Sequence, residues 1–400
     1  MRIVYCGILL VSLSYSQSFT SFVSSLERTT EAKRDDAVQR YASKVRSFPV
    51  VEHDSLLHFV YYGRAGSVLL NGNLQRWNDP DTMHRIDCGG TSFFYRSYVV
   101  PSDARLDYQF MVDGTVQLDP LNSNITPSGF GPHSEVRMPK FVPSAYRVPV
   151  DSVPRGTFVE MELYRYLNPP LSRYTIFRRE IKVYLPHGYE ELSDIPTVYI
   201  NDGFDAISFA DMPTILDNLI AQKKIVPVIA VFIPPVARQF EYLTEGREKF
   251  VNVLCNEVVP MIDDNFRTAR MPEKRAMMGI SNGGHITLYT VLSRPDLFHG
   301  AGGQSATISP ELQNLTQRQA DGNTLPPTMK IYLDCGRYDI QRYNPVWGDI
   351  DFLESNRKYS EMLVSLRIPH FFKEVNDGHE WANWRERMPD ILIFFFGRFL

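Results

Sequence analysis

The 400-residue chain is expected to be an α/β protein: a small all-β domain followed by a larger domain built on a mostly parallel sheet. Three observations predict this. Residues 56–138 form short alternating runs split by turn residues, the pattern of a β-sandwich. From residue 197 onward, short apolar runs alternate with amphipathic ones, which implies a parallel sheet covered on both faces. Within that second region stands Gly279-Ile280-Ser281-Asn282-Gly283, the sequence of a sharp strand–turn–helix crossing with a serine at its tip.

Composition narrows the function classes. At 44% hydrophobic and 22% charged residues with a formal net charge of −4, the chain has the make-up of an ordinary globular protein. No basic stripe interleaved with aromatics occurs, which argues against a nucleic-acid partner. His379-Glu380-Trp381-Ala382-Asn383 begins like a zincin helix but lacks its second histidine. With no other His/Cys cluster at ligand spacing, no phosphate loop and no dinucleotide fingerprint, neither metal nor cofactor is expected.

Taken in order, residues 1–16 read as a signal peptide. Arg2 precedes an apolar stretch too short to span a bilayer, and Ser14 and Ser16 are small residues suited to cleavage. A secreted or periplasmic protein is expected from this, with no transmembrane segment in the mature chain; an uncleaved membrane anchor is the alternative. Cleavage would leave Cys88, Cys255 and Cys335, an odd, widely spaced set that is not a disulfide framework. Residues 17–48 are charged and weakly helical and read as a polar linker. Residues 49–142 hold the sandwich and 143–400 the larger domain. There the pattern predicts a hairpin at 156–166 and 177–185, then strands at 197–200 and 226–233. Helices are expected near 212–222 and 248–265, and further strands at 275–278, 330–336 and 371–375.

Glycines two residues before and after Ser281 keep side chains out of the crossing, and Gly284 lets the following helix approach the sheet. A serine nucleophile on such a turn needs a carboxylate and then a histidine further along the chain. His379 is the candidate base, in the loop after the strand at 371–375. Asp339, just past the strand at 330–336, is the candidate acid, with Asp334, Asp349, Asp351 and Asp377 as nearby competitors. His285 lies on the helix after the turn and is expected to pack or to face solvent rather than to react. An oxyanion would be met by the backbone N–H of Asn282 and by that of Gly203 or Phe204, in the loop after the strand at 197–200. Arg238 and Glu241 are spaced to pair across a turn, bracing a loop or touching substrate. Trp381 and Trp384 follow the histidine and, with Phe204, either wall a pocket or simply pack.

Together these stretches resemble the enterochelin esterase and putative esterase family of α/β-hydrolases. The resemblance is carried by Asn201-Asp202-Gly203, Arg238-Gln239-Phe240-Glu241-Tyr242, Gly279 to Gly284, Asp339 after the Gly336 turn, and Gly378-His379-Glu380-Trp381 through Arg385. It covers about residues 155 to 400 and implies ester hydrolysis by Ser281 and His379. The first half resembles the immunoglobulin-like domain ahead of such esterases, akin to glycogen-binding modules, through residues 68–77, 108–114 and 119–122. That implies a glycan contact, with Trp77 either stacking on a sugar ring or filling the sandwich. The substrates implied are a carbohydrate ester of feruloyl or acetyl type, or a siderophore trilactone. Basic residues such as Arg337, Arg342 and Arg385 would have to ring the pocket in the trilactone case. A glycan-binding protein with an inactive hydrolase body is the alternative outside enzymes.

Overall fold

The computed structural model describes residues 17–129, 131–166, 176–344 and 347–398. The expected signal peptide, residues 1–16, lies outside them. Two antiparallel sheets form the first domain. One contains Val50–Glu52, Leu56–Gly63, Ser92–Val99 and His84–Asp87 in that spatial order. The other is centred on Arg105–Val112, flanked by Val68–Gly72 and His133–Arg137. Alternation places Leu57, Phe59, Leu70, Leu106, Tyr108 and Phe110 between the sheets.

Residues 17–48 do more than connect. Phe19–Arg28 and Glu31–Ala42 are helices. Their apolar faces (Phe19, Phe22, Val23, Leu26, Val38, Tyr41) pack on Val60, Ile86, Cys88 and Phe93. Phe22 stacks on Tyr41 at 3.8 Å and Phe19 on His58 at 4.1 Å. This helix pair covers the outer face of the first sheet. The charged residues between the apolar positions mask the helical period in the sequence.

The second domain is an eight-stranded sheet. Numbered within it, the strands are β1 (Thr157–Tyr166), β2 (Ile176–Leu185), β3 (Thr197–Asn201), β4 (Ile229–Ile233), β5 (Arg275–Ile280), β6 (Gly300–Gln304), β7 (Lys330–Tyr338) and β8 (His370–Gly378). Their spatial order is β1-β2-β4-β3-β5-β6-β7-β8. The β1–β2 and β2–β4 pairs are antiparallel and all the others parallel. Helices cover both faces over apolar layers. One contains Val231, Met277, Ile286 and Leu333, the other Ile200, Phe232, Met278 and Ile391. This is the α/β-hydrolase fold.

Strand β6 escapes a propensity reading because its sequence is Gly-Ala-Gly-Gly-Gln. Packing explains it: a Cβ on Gly300 would lie 2.6 Å from the Ala276 Cβ, and one on Gly302 would lie 2.9 Å from Ile391. The terminal helix, Trp381–Phe396, therefore rides close on this strand. Among the described residues no helix is long and apolar enough to cross a membrane.

The domains meet along the outward face of Arg105–Val112. Arg105 and Asp107, which alternation points away from the sandwich core, are fully buried because the hydrolase domain covers them. Arg105 donates to Asn383 Oδ1 at 2.6 Å, Arg76 to Asp351 at 2.9 Å, and Asn78 to the Gln341 carbonyl at 2.7 Å. A sheet face that reads as solvent-facing in sequence is in fact a domain interface.

Candidate active site

Strand β5 ends at Ile280 and a helix begins at Asn282. Ser281 between them has φ 52° and ψ −119°, a conformation that costs a non-glycine residue about 1–3 kcal/mol. The neighbouring glycines make the crossing possible. A Cβ on Gly279 would lie 2.3 Å from the Gly283 carbonyl oxygen, and one on Gly283 would lie 2.6 Å from Asp202 Oδ2.

Parallel strands bring distant residues to the same edge. His379 follows β8, and its Nε2 is 3.0 Å from Ser281 Oγ. Its Nδ1 is 2.5 Å from Asp339 Oδ1, just beyond β7. Rings hold the imidazole on two sides, Phe352 at 4.8 Å and Trp384 at 4.7 Å, both edge-on. Burial alone would raise the Asp339 carboxyl. The charge of His379, hydrogen bonds from His379 and Ser305, and the Ile340 N–H together hold it below the usual range. A hydroxyl joined to an imidazole whose other nitrogen meets a buried carboxylate is an arrangement suited to nucleophilic attack.

Tertiary contacts separate Asp339 from its competitors. Asp351 caps the helix Phe352–Ser365 and binds Arg76. Asp349 sits on an exposed strand position. Asp334 and Asp377 both bind Arg387, on the terminal helix. That single guanidinium serves two buried carboxylates, and burial raises Asp377 to about 7. An unfolded aspartate titrates near about 4, so the folded chain holds an extra proton between these values. The stability this proton contributes is complete below about pH 4 and is lost as pH rises through 7. Asp377→Asn, a neutral isostere, is therefore expected to improve in melting temperature relative to the parent between pH 5 and pH 8. Thermal melts check this, and a difference independent of pH would contradict it.

His285 is fully buried, bonded to the Tyr242 carbonyl and to Ser309, with burial pushing it down to about 4; of the two expected fates, packing and solvent exposure, it packs. Gly203 and Phe204 open the helix Gly203–Ala210 beside the elbow. Their N–H groups, like that of Asn282, belong to a first helical turn that has no intrahelical acceptor. The Phe204 ring lies beneath Lys182 at 5.4 Å and does not line the cavity described below.

Arg238 and Glu241 do not pair with each other. Arg238 forms two hydrogen bonds to Asp202, at 2.8 and 2.7 Å, while Glu241 is buried against Arg179 at 2.6 Å. The helix Arg238–Leu243 turns the two side chains to different partners. Glu241 is absent from the cavity wall.

Ser281 opens into a cavity of about 470 Å³. Trp381, Trp384, Arg238 and Arg342 line it from the hydrolase domain, and Trp77, Gln109 and His133 from the sandwich. Arg337 instead faces Glu374, and Arg385 reaches the Phe209 carbonyl. Sequence reasoning did not single out Gln109 or His133 as cavity residues: Gln109 stood only as part of the 108–114 stretch of the sandwich, and His133 carries no motif. Their signal was a polar, outward-facing position that required burial.

A strained elbow at the carboxyl edge of this sheet, with an imidazole and a carboxylate converging on it, defines the chain as an α/β-hydrolase. Residues 172–395, more than half of the chain, match the model of the family described as Putative esterase, and the chain belongs to that family. Carboxylic ester hydrolysis is the activity that this membership supports. An uncharacterized protein of Bacillus subtilis, YjcH, is 24% identical over 208 residues, covering 51% of this chain and 85% of that protein. The Xylanibacter ruminicola protein named endo-1,4-beta-xylanase/feruloyl esterase is 35% identical over 235 residues, 53% of this chain and 29% of its own length. In fold, the chain is similar to the ferric enterobactin esterase of Salmonella typhimurium, with a TM-score of 0.65 and 17% identity. That likeness covers 86% of this chain and 95% of the other.

Proposed function

We propose that the chain is an exported serine esterase that cleaves carboxylic esters at Ser281. The observation carrying this is the 3.0 Å approach of His379 Nε2 to Ser281 Oγ, with Asp339 on the other ring nitrogen. Ser281 Oγ attacks the ester carbonyl carbon while His379 takes the hydroxyl proton. The resulting oxyanion is met by the N–H of Asn282 and that of Gly203 or Phe204. His379 passes its proton to the leaving alcohol oxygen as that C–O bond breaks, leaving an acyl-serine. Water, deprotonated by His379, then releases the acid and restores the hydroxyl. Asp339 keeps Nδ1 protonated and balances the imidazolium.

The substrate we favour is an aromatic, feruloyl-type ester on a carbohydrate. Trp77, Trp381 and Trp384 offer ring surfaces in a cavity far larger than an acetyl group requires. A sugar on the alcohol side would meet the sandwich through Trp77. The name of the 35%-identical Xylanibacter relative agrees with this reading.

A ferric catecholate trilactone is strongly anionic and needs a basic ring, and the described residues lining this cavity include only two guanidinium groups. Arg238 is neutralised by Asp202, and Asp205 lines the wall beside it. Arg342 is then the one lining guanidinium without an ion pair among the described residues. A comparison of kcat/KM for methyl ferulate, p-nitrophenyl acetate and a catecholate trilactone tests the proposal. The feruloyl ester is expected to lead by about 10-fold or more, the scale of a few good apolar contacts. A faster trilactone would favour the siderophore reading. No turnover together with no labelling by a fluorophosphonate would identify a binding protein instead.

A further inference from the structure

We propose that Asp107, His133 and Glu380 form a binding site for one divalent transition-metal cation, of the Zn²⁺ type, at the junction of the two domains. One ligand atom from each of the three lies within 4.8 Å of the others. His133 Nδ1 and Glu380 Oε1 are 3.7 Å apart, close to the spacing of two donors on a shared ion with bonds of about 2.0–2.2 Å.

All three side chains are buried, at 1%, 4% and 5% exposure. Among the described residues His133 Nδ1 has no hydrogen-bond partner. A buried ring nitrogen without a hydrogen bond is costly, and this one faces the Glu380 carboxyl, with Asp107 in the same cluster. The surrounding charges also leave room for a cation. Arg105 pairs with Asp107 and Glu135, and Arg137 with Glu135. Among the described residues no guanidinium pairs with Glu380. Although both Asp107 oxygens accept from Arg105, a carboxylate oxygen keeps a second acceptor position.

One nitrogen and two oxygen donors suit zinc better than calcium, which takes six to eight oxygens. His133 and Glu380 line the cavity, so water can complete the coordination. Strand geometry explains the juxtaposition. Asp107 and Glu135 are paired across two antiparallel strands, and His133 lies on the same face as Glu135. Glu380 comes from the other domain, as the cap residue of the terminal helix and the neighbour of His379. A bound ion would tie the sandwich to the segment that carries His379. Ligands 26 and 247 residues apart in sequence (133 − 107 and 380 − 133) show no motif spacing.

The test uses the full chain, freed of metal by a chelator and titrated with ZnCl₂ by calorimetry, with thermal melts in parallel. One Zn²⁺ per chain and a raised melting temperature are expected. Glu380→Gln preserves the side-chain volume, and His133→Asn keeps a polar side chain there. Each should weaken binding by more than about 100-fold, since even the loss of an outer-shell partner costs 10–100-fold. Each should also abolish the thermal gain, while its metal-free melt reports folding. The proposal is overturned if the parent binds no stoichiometric Zn²⁺, or if either folded variant binds it as the parent does.

Discussion

Ser281→Ala is expected to lower kcat on p-nitrophenyl acetate by roughly 10⁴–10⁶-fold, with the fold and its melting temperature nearly unchanged. In the proposed mechanism the hydroxyl oxygen is the atom that becomes covalently bonded, and no other described side chain replaces it at the elbow. Truncation also leaves the backbone strain of φ 52° in place, so no stability is lost through the turn. Residual rate of about 10³–10⁴ over water would come from oxyanion donors and binding alone. Fluorophosphonate labelling offers an independent readout, because the adduct should disappear with the oxygen. A variant that keeps parental kcat and still labels at another residue would remove Ser281 from the mechanism.

Asp339→Asn is expected to reduce kcat by about 10⁴-fold while KM changes little. The reason is tautomeric. In the proposed mechanism Asp339 accepts a hydrogen bond from a protonated Nδ1 at 2.5 Å, which leaves Nε2 free to receive the Ser281 proton. An asparagine amide can donate to Nδ1 instead, which places the ring proton on Nε2 and turns it from acceptor to donor. The charge that offsets the imidazolium is lost as well. The effect should fall on kcat because the carboxylate is buried below the imidazole and is no part of the cavity wall. A loss of less than about 10-fold in a well-folded variant would pass the role of acid to another residue.

The local signals in the chain were strong where one residue carried the physics. Gly279, Gly283 and Ser281 announce the elbow because only glycine tolerates the contacts with Gly283 O and Asp202. The alternating runs of the sandwich and the apolar runs of β3, β4, β5 and β7 declare their periods directly. β6 does not, since its glycines answer to Ala276 and Ile391, residues remote in sequence. The same limit hid the partners of Arg238 and Glu241, which a linear reading joins to each other.

Pockets and charges fared similarly. Trp77 was legible as an aromatic with two possible fates, and packing of the domains puts it in the cavity wall with His133, ring to ring at 4.5 Å. Whether that cavity is basic could not be read from counts of arginine, because Asp202, Glu374 and the Phe209 carbonyl decide which guanidinium stays available.

The sequence by itself determined the two-domain α/β plan, the elbow and the order of serine, aspartate and histidine along the chain. These depend on periodicity, glycine sterics and local turn chemistry, which act over a few residues. Only the tertiary structure decided which aspartate meets His379, which arginines keep their charge free, and that the sandwich closes the cavity. Those outcomes depend on burial and pairing between segments separated by tens to hundreds of positions, and no local pattern encodes the energy of such contacts.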